Sequence, residues 1–314
     1  MDLETALVTG GAGFIGSHIA ERLVREGYNV KVLDNFSIGK EENLKKIKKD
    51  IEIIRGDIQF KDVVWDAMKG VDYVFHEAAM VSVSESIKNP ARCWKINITG
   101  TQHVFNGAVK NNVKRVMIAS SAAVYGNKLA LPKRENMDTS PISPYANSKV
   151  MNEINAIKFY NENSLESVCL RYFNVYGKGQ DPKSPYSGVI SKFIGCMSKG
   201  KEPMIYGDGR QTRDFIYVSD VVEANMLAMK EKKAVGLTLN IATGKQTSLL
   251  ALIDAINSIL GRKIHPHFED AKEGDIKHSY ADVSKAKEML GFEAKIGLKE
   301  GLEKTIEWYK QLKN

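Results

Sequence analysis

The sequence predicts an α/β fold built on a doubly wound parallel sheet. Short apolar runs rich in β-branched residues alternate with segments of helical periodicity along the first half of the chain. The first apolar run leads directly into a glycine-rich turn and then into a helical segment. A small or polar residue follows each of these apolar runs. This alternation is typical of successive βαβ units, whose strands are parallel and whose helices cover both faces of the sheet.

The first strand, turn and helix begin at residue 5. Residues 5–9 have the length and composition of a buried parallel strand, and residues 10–16 form a glycine-rich turn at the start of an amphipathic helix. Gly10 suits the tight turn, Gly13 has no Cβ to hold the backbone away from a pyrophosphate, and Gly16 allows the helix to pack closely on the strand. The free N–H groups of the first helical turn would face this anion. A plain glycine turn is the alternative interpretation.

The second predicted strand favours dinucleotide binding over a plain turn. Residues 30–33 form another apolar run, which ends at Asp34, 18 residues after Gly16. This spacing is close to the ~20-residue offset at which an acidic side chain meets the adenosine ribose of a dinucleotide. A carboxylate there accepts hydrogen bonds from the ribose hydroxyls and repels a 2′-phosphate. The sequence therefore predicts NAD, rather than NADP, as the cofactor.

The same pattern continues along the chain. Further strands are predicted at residues 51–54, 73–76, 116–119 and 167–170, and helices at 60–68, 91–110 and 145–161. Because the carboxyl ends of parallel strands share one edge of a sheet, the residues that follow these strands should converge on one cleft. These residues are Gly10, Asp34, Asp57, Ala78, Ser120, Ser121 and residues 171–174.

A second, smaller mixed α/β domain is predicted where the regular alternation ends. We place the NAD-binding domain at residues 1–175 and a substrate-binding domain at residues 176–314. Residues 215–241 can also pack back on the first domain, so this boundary is soft. Helices are predicted at 189–198, 220–230, 249–260 and 298–312, and a strand at 237–241.

Composition excludes several classes of protein. The formal net charge of +7 is spread over lysine-rich segments such as residues 40–49, interpreted as a solvated helix, and no basic stripe with interleaved aromatic residues indicates nucleic acid. No secretory signal is recognised, and no apolar run approaches the ~18 residues of a membrane helix. Cys93, Cys169 and Cys196 form no Cys-x-x-Cys pattern, and His265 and His267 have no partner at ligand spacing. We expect a cytoplasmic protein without a metal site.

Residues 143–149 carry the strongest local signal after the glycine turn. Pro144 suits the first turn of a helix, which places Tyr145 and Lys149 one turn apart on the same face. A phenol with an ordinary pKa of ~10 is a poor base at neutral pH. A neighbouring ammonium and a positive nicotinamide ring would lower the pKa of Tyr145 and make it a usable base. A surface Tyr–Lys pair is the alternative.

Together these segments resemble the extended short-chain dehydrogenase/reductase family with its Rossmann-type sheet, and within it the nucleotide-sugar 4-epimerases. The resemblance covers essentially the whole chain. Besides the segments above it rests on residues 33–37, 76–79, 97–101, 119–126, 171–177, 213–218 and 273–275.

The resemblance implies a role for each matching residue. Tyr145 would be the catalytic base, Lys149 would bind the nicotinamide ribose and tune the tyrosine, and Ser121 would pass the proton of the sugar 4-OH. NAD would be lined by Gly10, Gly13, Phe14, Ile15, Gly16, Asp34, Asn35, Ser37, Asp57, Ile58, Ala78 and Lys149. The substrate would be bound by Ser121, Tyr145, Asn174, Val189, Tyr206, Arg213, Lys272, Asp275 and Ser279. Lys272 stands where the family usually has an arginine, and the helices near residues 91–110 and 145–161 imply a homodimer.

The resemblance also implies the reaction. Tyr145 would take the 4-OH proton while C4 passes a hydride to NAD⁺, and the resulting 4-keto sugar would turn over and take the hydride back on its other face. Related dehydratases and decarboxylases have an acid where this chain has Ala122 and Ala123, which favours simple epimerisation. Ser279 is small where a bulky residue excludes N-acetyl groups, so UDP-N-acetylglucosamine should be accepted along with UDP-glucose. UDP-glucuronate epimerisation, 4,6-dehydration and a non-catalytic NAD-responsive regulator stay open as alternatives.

Overall fold

The computed structural model describes residues 3–181, 188–271 and 276–311. The strands are β1 (Thr5–Thr9), β2 (Asn29–Asp34), β3 (Ile51–Arg55), β4 (Tyr73–His76), β5 (Arg115–Ser121), β6 (Glu166–Tyr172), β7 (Asn174–Tyr176), β8 (Met204–Tyr206), β9 (Thr212–Arg213), β10 (Phe215–Tyr217), β11 (Thr238–Ile241), β12 (Thr247–Ser248) and β13 (His267–Glu269). The α-helices are α1 (Phe14–Arg25), α2 (Lys61–Ala67), α3 (Val83–Lys88), α4 (Pro90–Trp94), α5 (Gly100–Lys110), α6 (Pro144–Asn163), α7 (Val189–Met197), α8 (Val218–Lys230), α9 (Leu249–Leu260), α10 (Ser284–Leu290) and α11 (Leu298–Gln311).

The main sheet has seven strands in the order β11-β6-β5-β4-β1-β2-β3, and every neighbouring pair is parallel. The chain runs from β1 outward to β3 and then returns to β4 on the other side of β1. This reversal creates a switch point at the carboxyl end of β1, where a crevice opens in folds of this type. The predicted doubly wound parallel sheet is therefore confirmed.

Helices cover both faces of the sheet and bury its apolar side chains. On one face α1 and α8 pack together, and Ile19, Leu23 and Val221 join Val8 in a single core. On the other face α2, α5 and α6 enclose a second core that includes Phe105. Because both faces are covered, the central strand β1 carries buried apolar side chains on both of its faces, at Ala6, Leu7 and Val8.

The last part of the chain builds a smaller unit from paired short strands and helices. β7 pairs with β10, β9 with β12, and β8 with β13, while α7, α9 and α11 share a separate apolar core. β11, from residues 238–241, instead lies at the edge of the main sheet beside β6, and α8 packs on α1. The exact division into domains at residue 175 stays a prediction.

Two predicted helices differ in the structure. Residues 40–49 do not form an α-helix, because the Lys40 N–H and the Asn43 side chain both donate to the Ala12 carbonyl and hold the segment on the glycine turn. Only Glu41–Leu44 forms a short 3₁₀ turn there. The helix predicted at 91–110 is interrupted by a π-helical turn at Lys95–Thr99. In that turn Asn97 accepts from Met80 N and donates to Met80 O.

None of the helices in the described part of the chain combines the length and the apolar character that a membrane crossing requires.

Candidate active site

A cavity of about 2090 Å³ runs along the carboxyl ends of the main-sheet strands. Every residue predicted from the sequence to line NAD contributes to its wall. These residues are Gly10, Gly13, Phe14, Ile15, Gly16, Asp34, Asn35, Ser37, Asp57, Ile58, Ala78 and Lys149. Ser121 and Tyr145 line the same cavity. The structure thus brings the residues predicted to bind the dinucleotide and those predicted to transfer the proton to one space, as expected for a sheet edge.

The glycine turn is held against the neighbouring strand. Gly10 has φ +68°, and a Cβ on it would lie 2.7 Å from Ala78 N. A Cβ on Gly16 would collide with the Gly10 carbonyl oxygen. Gly16 therefore allows the helix to approach the glycine turn, whereas the sequence predicted that it allows the helix to approach the strand. A Cβ on Gly13 would lie 3.0 Å from the Gly10 carbonyl oxygen and would otherwise face open space among the described residues. The turn therefore fits the close approach of a pyrophosphate to the first turn of α1.

Asp34 is anchored at the end of β2 by two backbone donors. Its Oδ2 accepts from Ala12 N at 2.9 Å and its Oδ1 accepts from Phe36 N at 2.8 Å. Burial raises the pKa of this carboxyl group, and the two hydrogen bonds lower it in part. Each carboxylate oxygen has a second lone pair available for a ribose hydroxyl. Beside it, Asn35 donates to Asp57 Oδ2 at 2.7 Å, which joins the ends of β2 and β3.

The start of α6 positions the proposed base. Ser143 caps the helix by accepting from Ala146 N at 3.1 Å, and Pro144 occupies its first turn. Tyr145 and Lys149 then lie one turn apart, with Lys149 Nζ 5.8 Å from the centre of the Tyr145 ring. Lys149 Nζ also donates to Ala119 O at 2.7 Å, which fixes the ammonium at the carboxyl end of β5.

Burial is the largest influence on the pKa values of this pair. Burial raises the pKa of Tyr145 above its ordinary value, and the neighbouring Ser121 hydroxyl offsets only part of this effect. Burial also lowers the pKa of Lys149 to about 8, because desolvation disfavours its charge more than nearby acidic groups favour it. The lysine alone therefore does not lower the pKa of the phenol. A bound nicotinamide ring, the second cation expected from the sequence, would supply that effect.

Ser121 is oriented toward the phenol by the turn that follows β5. Its Oγ accepts from Ala123 N at 3.2 Å, as the cap of the 3₁₀ turn Ala122–Tyr125. Because the backbone donor occupies a lone pair, the hydroxyl proton is free to point into the cavity. Ser121 and Tyr145 can then serve the same substrate hydroxyl, one as donor and one as acceptor.

Five further described residues, beyond Ser121 and Tyr145, were predicted to bind the substrate. Asn174 Nδ2 donates to Asp214 O at 3.1 Å, Arg213 donates to Thr212 O at 2.9 Å, and Ser279 N donates to Thr212 O at 3.1 Å. Val189 begins α7, and Tyr206 ends β8 next to Glu269 of β13. The described lining of the large cavity does not include these five residues. Lys272 and Asp275 lie outside the described residues.

Two residues at the strand ends behave differently from the sequence expectation. Arg171, expected near the cleft, instead donates from Nε and Nη2 to Glu153 of α6 and is buried. Glu77, which received no role from the sequence, lines the cavity directly after β4. Its position immediately after a strand was the signal that could have identified it. In the described part of the chain, His, Cys, Asp and Glu side chains form no group of three or more placed for a metal ion.

Comparison with known proteins identifies the family. The profile of the NAD dependent epimerase/dehydratase family matches residues 6–242. The chain belongs to this family. It is an NAD-dependent nucleotide-sugar epimerase of the extended short-chain dehydrogenase/reductase type, as the resemblance in the sequence implied.

Solved structures and curated relatives cover nearly the whole enzyme. The UDP-N-acetylglucosamine 4-epimerase from Methanobrevibacter ruminantium, in complex with UDP-N-acetylmuramic acid, has a TM-score of 0.94 and 38% identity, covering 99% of this chain and 100% of that chain. The UDP-glucose 4-epimerase from Thermotoga maritima, solved with UDP-glucose, has the same TM-score, identity and coverage. A UDP-N-acetyl-α-D-glucosaminuronate decarboxylase from Bacillus cytotoxicus is 36% identical over 326 residues, covering 98% of each chain.

An ion pair joins the two walls of the cavity beside the glycine turn. Lys40 Nζ lies 2.5 Å from Asp181 Oδ2, and both residues line the cavity. The Lys40 backbone is held on the glycine turn, while the Tyr309 hydroxyl donates to the carbonyl of Gln180, next to Asp181. The pair therefore links the two parts of the molecule that would enclose NAD.

We expect the charge reversal Lys40→Glu to raise the dissociation rate of NAD by up to about fivefold, the range that an exposed ion pair supports. Exchange of bound NAD for labelled NAD measures this rate. Lys48→Glu is the matched control, because Lys48 pairs with Glu41 outside the cavity lining. The double reversal Lys40→Asp/Asp181→Lys should restore retention. Equal exchange rates in Lys40→Glu and wild type would show that the pair does not hold the cofactor.

Proposed function

We propose that this enzyme interconverts UDP-glucose and UDP-galactose, and also UDP-N-acetylglucosamine and UDP-N-acetylgalactosamine, by epimerisation at C4. The observation that carries this proposal is the convergence of Ser121, Tyr145 and Lys149 on the cavity that the glycine turn and Asp34 also line. The names of the Methanobrevibacter and Thermotoga structures support both sugar classes.

Each of the three residues has a task that its environment supports. NAD, when bound, supplies reversible hydride acceptance at C4 of the sugar. Tyr145 accepts the proton of the 4-OH and returns it, while the Ser121 hydroxyl holds that oxygen in line. Lys149, whose ammonium is fixed on Ala119 O, contributes positive charge beside the phenolate and binds ribose.

The residues after β5 favour simple epimerisation over the related eliminations. Ala122 and Ala123 begin the 3₁₀ turn that follows Ser121, and neither side chain can donate or accept a proton. A dehydratase or decarboxylase needs a further acid or base to remove a second proton or assist loss of a group. At these two positions the chain provides methyl groups only.

Direct assay of the purified enzyme tests the proposal. We expect UDP-galactose to be converted to an equilibrium mixture with UDP-glucose, without net formation of NADH. Separation of the nucleotide sugars by ion-pair chromatography would follow the conversion. Dehydrated or decarboxylated products, or the recovery of unchanged UDP-galactose, would contradict the proposal. The second outcome would favour the non-catalytic regulator.

Ser279 provides the test of sugar choice. Its backbone N–H donates to Thr212 O beside Arg213, and its side chain is buried. We expect Ser279→Tyr to lower kcat/KM for UDP-N-acetylglucosamine by about tenfold to a hundredfold, because the ring would fill the space needed by the acetamido group. The value for UDP-glucose should change little, and Ser279→Ala should retain both activities. Equal losses on both sugars in Ser279→Tyr would contradict this role.

We further propose that the enzyme is a homodimer formed through α4 and α6. These helices pack together, and they expose Trp94, Ile154 and Ile157, of which Ile154 is 52% accessible. Exposed large apolar side chains on two neighbouring helices are typical of a protein interface. We expect Ile157→Glu to convert the dimer to a monomer in sedimentation experiments. Leu129→Glu, an equally apolar but isolated exposed position, should leave the dimer intact. A monomeric wild type would overturn the proposal.

A further inference from the structure

Glu77 lies on the cavity wall between the glycine turn and the catalytic residues. It directly follows β4, and its N–H donates to Thr9 O at 3.1 Å, which fixes its backbone at the edge of the sheet. A Cβ on Gly10 would lie 3.0 Å from the Glu77 carbonyl carbon, so the glycine turn is packed directly against this residue. Glu77 lines the cavity.

A chain of hydrogen bonds orients the carboxyl group of Glu77. The Tyr172 hydroxyl lies 2.8 Å from Glu77 Oε1, and Asn225 Nδ2 donates to the same hydroxyl at 2.8 Å. Asn225 Nδ2 also donates to Val221 O at 2.9 Å. A carbonyl oxygen only accepts, so this contact fixes which end of the Asn225 amide faces Tyr172. Tyr172 therefore accepts from Asn225 and must donate its own proton to Glu77.

The charged and titratable groups around Glu77 come from two elements. Tyr172 belongs to β6, while Lys149 and Tyr145 belong to α6; Asn225 of α8 is neutral. Burial raises the pKa of Glu77 to about 7, although the Tyr172 hydrogen bond and the Lys149 charge both lower it in part. Tyr172 has a pKa raised well above its ordinary value, chiefly by burial, so it remains a donor at neutral pH.

The topology assigns Glu77 to the nicotinamide half of the cavity. The glycine turn and Asp34 lie at the carboxyl ends of β1 and β2, where they suit the pyrophosphate and the adenosine ribose. Beyond Ala78 the cavity continues along β4, β5 and β6, where its wall is formed by Glu77, Tyr145 and Tyr172. The other end of an extended dinucleotide must occupy this part. This step rests on the function proposed above.

We propose that Glu77 is the counter-ion of the nicotinamide ring. Its carboxylate, directed by the donor Tyr172, stabilises the cationic oxidised ring over the neutral reduced ring. An epimerase must begin each cycle with the oxidised cofactor, and the ketone intermediate can be lost while the cofactor is reduced. A fixed negative charge at this position favours the competent oxidised state. Tyr172 and Asn225 are positioning residues, because they act through Glu77.

The experiment compares the affinities of the two cofactor states. The purified enzyme is incubated with an equimolar excess of NAD⁺ and NADH until exchange is complete, and free nucleotide is removed by rapid gel filtration. Bound NAD⁺ and NADH are then released and quantified. We expect the bound NAD⁺:NADH ratio to be about tenfold lower in Glu77→Gln than in wild type, as expected for loss of one charge near a cation in a partly polar site. Glu42→Gln is the matched control, because Glu42 lines the adenosine half and is exposed.

The pH profile supplies a second readout. A carboxylate with a raised pKa is protonated at low pH, so the wild-type NAD⁺:NADH ratio should rise between about pH 6 and about pH 8. Lys149, whose pKa is about 8, loses its positive charge in the upper part of this range and acts in the same direction. Lys149 is still present in Glu77→Gln, so the difference between the wild-type and Glu77→Gln pH profiles reports the contribution of Glu77. Tyr172→Phe removes the hydrogen bond that lowers the pKa of Glu77. The rise in the bound NAD⁺:NADH ratio should therefore occur at higher pH in this variant.

The outcomes separate this proposal from the proposed function. A bound ratio that differs less than twofold between Glu77→Gln and wild type at pH 8, or identical pH profiles, would overturn the counter-ion role even if UDP-sugars are interconverted. Failure to convert any UDP-sugar would overturn the proposed reaction, while the nucleotide ratio would still measure the effect of Glu77 on NAD. If Glu77→Gln does not fold, the wild-type and Tyr172→Phe profiles decide the question.

Discussion

The substitution Tyr145→Phe is expected to lower kcat for 4-epimerisation by about 10³-fold, within the range that a positioned acid–base group contributes. The phenylalanine ring occupies the same volume but has no oxygen to accept the 4-OH proton. Because Lys149, Ser121 and the cavity wall are untouched, KM for the nucleotide sugar and the NAD content should remain close to wild type. Initial rates of UDP-glucose formation from UDP-galactose, together with the absorbance of released cofactor, provide both measurements.

Tyr160 gives a matched control on the same helix. It lies near the carboxyl end of α6, is 40% exposed and is remote from the catalytic turn. We expect Tyr160→Phe to retain wild-type kcat. If Tyr145→Phe retained more than about a tenth of wild-type activity, the phenol would not be the proton acceptor, and Ser121 would become the leading candidate.

The second large effect concerns stability. Arg171 and Glu153 form a bidentate pair, with Nε to Oε1 at 2.9 Å and Nη2 to Oε2 at 2.7 Å, and their side chains are only 5% and 7% exposed. Arg171 also donates to the Tyr125 hydroxyl at 2.8 Å, and Ser120 Oγ donates to Glu153. The pair thereby ties β6 to α6, the helix that carries Tyr145 and Lys149.

We expect Arg171→Met to lower the free energy of unfolding by about 3–5 kcal/mol, because it leaves the Glu153 carboxylate buried without its partner. Equilibrium urea denaturation followed by circular dichroism measures the change. Arg92→Met breaks an exposed pair with Glu85 and should cost no more than about 1 kcal/mol.

The double variant Arg171→Met/Glu153→Leu separates the charge from the packing. Removing both charges leaves no uncompensated ion, so much of the stability lost in Arg171→Met should return. If the double variant were less stable than Arg171→Met alone, the ion pair would contribute through its geometry rather than through compensation of a buried charge.

Several features of the site were predictable because they are encoded within one or two turns of local structure. The glycine turn, Asp34 and the Tyr145–Lys149 pair each depend on residues at fixed short spacing, and the structure brings all of them to the cavity. Their chemical roles were inferred from the resemblance to the family. The resemblance also predicted the nucleotide-binding residues, but Lys272 and Asp275 lie outside the described residues.

Other features depend on segments that are distant in the sequence. The predicted helix at residues 40–49 was wrong because Ala12 accepts hydrogen bonds that hold this segment in place. The direction of the Arg171 side chain follows from its alternation in β6, which points it at α6 rather than into the cavity. Burial, which no local pattern reports, raises the pKa of Tyr145 and opposes the lowering expected from Lys149 together with the nicotinamide ring.

The amino-acid sequence by itself determined the parallel sheet, the choice of NAD and the candidate proton acceptor, because each depends on periodicity or on short spacing along the chain. Only the tertiary structure decided that Glu77 meets Tyr172, 95 residues away, and that burial governs the charges of the site. Hydrogen bonds between strands and the desolvation of ionisable groups arise from packing, and packing is complete only when distant segments have come together.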